Sequence, residues 1–201
     1  HYPLRRQRQM CIRDRYWGED SKYHLEGNVE IIFFKKREGK DVSLDGDQVI
    51  YDKDMTHFLS SGHAKAEYKD LVVESVLLHY DKEKDIFWTE SGMSFSSGRL
   101  EGSAQKMIYS MKKERVELQQ NVELHVKLKP ETSPPVIIKG KDLEYDREKK
   151  RGRIEGGVNL FQGESQASAE LLEFEMNPGE GLIKTLILKS MNGNKGKVKA
   201  S

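Results

Sequence analysis

Aromatic side chains close apolar strand patterns at Tyr51, Tyr80 and Tyr109, each 29 residues after the last, and the same interval separates Tyr145 from Phe174. A period of this length marks stacked supersecondary units, each too thin to bury its own apolar face alone. Two longer intervals, from Tyr16 to Tyr51 and from Tyr109 to Tyr145, carry polar insertions at 35–40 and 129–135. Counted from Tyr16, the series comprises six units of about 29 residues. A charged turn follows most of the aromatics, as in Tyr51-Asp52-Lys53-Asp54, Tyr80-Asp81-Lys82-Glu83 and Tyr145-Asp146-Arg147-Glu148.

A second mark falls eleven or twelve residues after the aromatic, at Asn28, Gly62, Gly92, Asn121 and Gly157. Gly and Asn accept positive φ at the lowest steric cost, so this position is expected to bend or bulge in every layer. Apolar residues then alternate again, as in Val29 and Ile31, Val122 and Leu124, and Val158 and Leu160, which is the period of a strand with one buried face. The second unit has His63 and Lys65 in those places, so its wall is expected to be exposed or frayed. No window carries the spacing of an amphipathic helix. The chain is therefore expected to be all-β, built from stacked antiparallel strands around a lengthwise core. Parity places Val49, Tyr51, Leu78, Tyr80, Met107, Tyr109, Leu118, Val122, Leu124, Leu143, Tyr145, Ile154, Val158, Leu160, Leu172 and Phe174 inside. A slip of one residue would turn all of them outward, and each is worth ~1.5–3 kcal/mol when buried.

Composition narrows the function. The 34 basic and 33 acidic residues interleave along the chain, which argues against a nucleic-acid surface. No apolar run approaches the ~20 residues of a spanning helix. Met10-Cys11-Ile12-Arg13-Asp14-Arg15 reads like translated sequencing adapter, so 1–15 is expected to be a non-native or disordered leader, with any signal or anchor lost. The domain is expected over 16–190, followed by a flexible tail at 191–201. Cys11 is the sole cysteine, so no disulfide is available within the chain.

The runs Leu25-Glu26-Gly27-Asn28-Val29-Glu30-Ile31, Leu44-Asp45-Gly46-Asp47-Gln48-Val49-Ile50-Tyr51-Asp52 and Ile138-Lys139-Gly140-Lys141-Asp142-Leu143-Glu144-Tyr145-Asp146 resemble those of the OstA-like family, which comprises LptA, LptC and the N-terminal domain of LptD. The resemblance covers about 16–190. Gly92-Met93-Ser94-Phe95-Ser96-Ser97-Gly98-Arg99-Leu100-Glu101-Gly102 looks more like LptC, whereas the last two units look more like LptA. It implies a β-jellyroll opened along one side, a β-taco, in the periplasm. The sixteen inward residues would then be lipid-binding, lining a trough for lipopolysaccharide acyl chains. The resemblance also implies other Lpt bridge proteins as partners by end-to-end strand addition, and inner-membrane association through a lost N-terminal anchor. Such transport needs no catalytic group and no cofactor.

Competing readings concern the same residues. A closed β-solenoid scaffold or adhesin module would share the repeat without a lipid ligand, and a solenoid enzyme would need polar groups recurring on an inward wall, which the pattern lacks. The six histidines show no paired metal-ligand spacing. Gly163-Glu164-Ser165-Gln166-Ala167 is expected to be a turn rather than a nucleophile elbow, because no helix follows it. Asp45, Asp47, Asp52 and Asp54 are expected in solvated turns rather than around calcium. Arg147, Lys149, Lys150, Arg151 and Arg153 form the densest basic cluster, expected to be a soluble hairpin tip rather than a lipid-phosphate site.

Overall fold

The computed structural model describes residues 15–17, 22–33, 42–127, 133–176, 183–189 and 195–199. Its fifteen strands are β1 (Arg15–Trp17), β2 (Lys22–Phe33), β3 (Val42–Asp52), β4 (His57–Tyr68), β5 (Leu71–Asp81), β6 (Ile86–Thr89), β7 (Met93–Ser97), β8 (Leu100–Ala104), β9 (Lys106–Ser110), β10 (Arg115–Val126), β11 (Val136–Asp146), β12 (Arg151–Gln162), β13 (Ser165–Met176), β14 (Ile183–Lys189) and β15 (Lys195–Lys199). All pairings are antiparallel and follow chain order. Between β5 and β10 the two intervening arms are each broken in two, so β6 and β9 fill one half of the sheet and β7 and β8 the other.

The long arms share one irregularity. In β2, β4, β10 and β12, residues 27–28, 62–63, 120–121 and 156–157 sit between the paired positions, opposite the single residues Asp47, Val76, Lys141 and Glu170. Two residues against one is a bulge, and here positive φ at Gly27 (103°), Gly62 (66°), His63 (52°), Gln120 (63°), Asn121 (58°), Gly156 (84°) and Gly157 (76°) produces it. Aligned across neighbouring strands, the bulges form a ridge about which the sheet folds into two facing walls. Val76 lies on the outside of this ridge and is 68% exposed. In the first arm the strain falls on Gly27 rather than Asn28; the other four expected bend positions have positive φ.

The first wall carries 22–26, 48–52, 57–61, 77–81, 86–89, 106–110, 115–119, 142–146, 151–155 and 171–175, and the second wall carries the other halves of the same arms. Their inner faces meet ring to ring: Phe33 lies 4.7 Å from Phe58 and 4.7 Å from Tyr80, and Tyr68 lies 5.9 Å from Tyr109. Of the sixteen residues expected inside, thirteen are buried, while Tyr51, Tyr145 and Leu160 are half-buried against the core.

The second unit departs from expectation. Its wall is neither exposed nor frayed, since Ala64, Ala66 and Tyr68 are each 1% exposed. Gly62 stands eleven residues after Tyr51, where the other units have twelve, so it is the first residue of its bulge rather than the second. Parity after it shifts by one, bringing alanines inward and leaving His63 and Lys65 outside. The expected leader and insertions fall mostly outside the described residues. Lys195–Lys199, inside the expected tail, pairs with β14, so the sheet extends beyond 190.

The turns after the aromatics are built by an aspartate. Asp52 accepts from the Thr56 amide at 2.7 Å, Asp81 from the Glu83 and Lys84 amides at 3.1 and 2.9 Å, and Asp146 from the Lys149 amide at 2.8 Å. Each carboxylate stands in for the backbone acceptor that the turn lacks.

The corrected register of the second unit gives a direct test. Ala64→Asp places a carboxylate in the core at a cost of ~3–5 kcal/mol, and should lower the thermal midpoint by about ten degrees or more. Lys65→Gln, one position away, should move it by no more than about two degrees.

Candidate functional site

Among the described residues, strands from β2 to β14 contribute side chains to the interior between the walls. Its N-terminal half is packed shut by Phe33, Phe58, Tyr68, Tyr80, Phe87 and Tyr109. Next to this packing lies an apolar cavity of about 40 Å³, lined by Leu71, Phe95, Ser97, Leu100 and Leu124 from the second wall and by Met107, Val116, Leu118, Leu143, Tyr145, Arg147 and Phe174 from the first. Six of the residues expected to line a trough meet there. Phe95, Leu100 and Val116 were not among them, although Phe95 continues the apolar alternation that follows the Gly92 mark. Toward the C-terminal end the inner face is less covered, where Leu160 is half-buried and its partner Ala167 is exposed.

A polar cluster holds the walls together at the mouth, opposite the ridge. The turn of Lys69 and Asp70 belongs to the second wall, and the turns of Glu114 and Arg147 to the first. Arg147 Nη2 donates to Asp70 Oδ1, and Lys69 Nζ donates to Glu114 Oε1. Ser97 Oγ donates to Asp70 Oδ2 at 2.7 Å, Tyr109 Oη donates to Glu114 Oε2 at 3.0 Å, and Arg147 Nε lies 3.9 Å from that same oxygen. Burial raises the Asp70 carboxyl, but the hydrogen bonds from Ser97 and Arg147 outweigh it and hold it below the usual carboxylate range. The Arg147 side chain is only 17% exposed, and its Nη1 is buried without a hydrogen-bond partner.

The expected basic hairpin tip is thus divided. Arg147 turns inward to the cavity, whereas Lys149 pairs with Asp146 at 2.9 Å and Arg153 pairs with Glu155 on the outside. Gly163 and Glu164 form the turn between β12 and β13. Among the described residues no group of histidines, cysteines and carboxylates is arranged to hold a metal, and no helix is long and apolar enough to cross a membrane.

His57 is employed structurally. Its Nδ1 lies 3.0 Å from Asp52 and its Nε2 3.2 Å from Asp81, tying two successive turns of the first wall together. The hydrogen bond to Asp52 raises its pKa, and the charge of Asp81 adds to the effect.

Strands folded in series about a ridge into two walls that face each other across an apolar interior define an antiparallel β-jellyroll. The chain belongs to the LptC-related family of lipopolysaccharide-assembly proteins, whose pattern matches residues 16–128, more than half of its length. Among solved structures it is similar to LptH from Pseudomonas aeruginosa, described as the LptA homologous periplasmic component of the lipopolysaccharide transport device. That likeness has a TM-score of 0.44 and 9% identity, covering 80% of this chain and 95% of that one. No curated protein matches the sequence.

Because His57 titrates higher when folded than its ordinary value of 6.5, its ion pairs stabilise the fold fully below that value and lose this contribution as pH rises through the folded pKa. The midpoint difference between wild type and His57→Gln should therefore be larger at about pH 5.5 than at about pH 9. A difference that does not vary with pH would show that the imidazolium contributes nothing.

Proposed function

We propose that this protein is a periplasmic component of a lipopolysaccharide transport bridge that holds acyl chains between its two walls and passes lipid along the sheet. The observation that carries this reading is the continuous apolar interior, fed by strands from β2 to β14 and less covered at Leu160 and Ala167. Such a surface gains ~0.8 kcal/mol for each methylene it takes from water, with no chemical step. Family membership supplies the cargo class. The sixteen residues predicted from parity, together with Phe95, Leu100 and Val116, are the proposed contacts. The described sheet begins at β1 and ends at β15, each hydrogen-bonded along one side, and such edges suit strand addition by neighbouring Lpt domains. Inner-membrane attachment through a preceding segment belongs to the same proposal.

The small size of the cavity favours a second reading, a closed scaffold whose core has no ligand. Photo-crosslinking separates the two. A photoreactive residue at Phe95, Val116 or Tyr145 should label lipopolysaccharide, and one at the exposed Lys112 should not. Equal labelling from all four positions, or none from the inner three, would sink the lipid-holding reading.

A further inference from the structure

Two facts about the interior are in tension. It is lined for lipid, yet its cavity of about 40 Å³ has no room for an acyl chain. An acyl chain enters only if the walls part, and the cluster at the mouth is what ties them. Arg147 and Asp70 are 77 residues apart in sequence, and Lys69 and Glu114 are 45 apart, whereas the strands themselves pair in chain order. These ion pairs cross from wall to wall, as does the hydrogen bond from Tyr68 Oη to Glu114, and Arg147 and Ser97 belong both to this cluster and to the cavity lining.

Resting on the lipid-holding reading, we propose that Asp70, Glu114, Lys69 and Arg147 form a clasp across the mouth, and that the phosphate of an anionic amphiphile opens it by replacing Asp70 on Arg147 as the chains enter.

The chemistry selects the ligand. Arg147 is mostly buried, so removing Asp70 without replacement leaves its guanidinium with only the longer contact to Glu114 at 3.9 Å, which a partly buried cation tolerates poorly. Asp70 takes one bond from the planar fork, through Nη2, whereas a phosphate can accept from it bidentately, and the unpartnered Nη1 supplies the second donor without breaking any bond. An uncharged amphiphile fills the widened cavity but strands the arginine. Free phosphate satisfies the arginine but leaves the parted apolar walls wet. A molecule with phosphate next to acyl chains does both.

The width of the mouth can be read from spin labels at Ser96→Cys on the second wall and Lys149→Cys on the first, both exposed, in a Cys11→Ser background. Binding of diphosphoryl lipid A, dodecyl maltoside and inorganic phosphate is followed in parallel. We expect lipid A to shift the wild-type distance to longer values, and phosphate alone to leave it unchanged. Asp70→Asn should begin at the longer distance and take up dodecyl maltoside about tenfold faster, the scale of one lost charge-assisted hydrogen bond. Arg147→Gln should also begin open but bind lipid A about tenfold more weakly than Asp70→Asn, with Arg147→Lys recovering part of the loss. Should Arg147→Gln fail to unfold cooperatively, Glu114→Gln takes its place in the distance measurement. Lipid A binding all variants alike with no change in distance would overturn the clasp and leave the lipid-holding reading standing. Opening by phosphate alone would overturn the coupling to chain entry. If neither amphiphile binds even wild type, both fall together.

Discussion

Everything in this molecule depends on a backbone constraint: at one level in each long arm, two residues must face a single partner on the neighbouring strand. A flat antiparallel sheet of this width would expose one whole apolar face. The bulges at 27–28, 62–63, 120–121 and 156–157 prevent this by bending successive strands along a common line, so that the inner faces of the two halves cover each other. Gly and Asn mark these places because the bend demands positive φ there. The aromatics lie at the far ends of the same arms, where wide side chains are needed to span the gap between walls that diverge from the ridge.

Much of this was legible in the residues. The interval from Tyr51 to Tyr80 to Tyr109 specified the layers, and alternation within them assigned the inner faces correctly for all sixteen residues named. What escaped notice has physical causes. Gly62 opens its bulge where the other marked residues close theirs, and with a period of two a single residue reverses every assignment downstream, as it did for Ala64 and Ala66. The broken arms of β6 to β9 obscured the phase of Leu100. The mouth cluster was invisible for a different reason. Its members come from turns far apart in the chain, and a turn residue such as Arg147 looks like any other solvated charge until the walls are closed against each other.

The closed interior also reconciles the two readings of the repeat. A dry, well-filled core and a lipid trough use the same side chains and differ only in how far the walls stand apart. Rings from both walls interlock in the N-terminal half, while around Leu160 and Ala167 the inner faces are already partly exposed. The sheet therefore grades along its length from a fully packed core to a less covered inner face.

The order of pairing carries one more consequence. Since each arm hydrogen-bonds to the arms laid down just before and after it, most loops to be closed during folding are short, and the entropic barrier to assembly stays low for an all-β topology. Folding can begin at any hairpin and zip outward, as in other linear arrays. Each rung thus docks on the one before it, and the sheet lengthens by repeating a single pairing step.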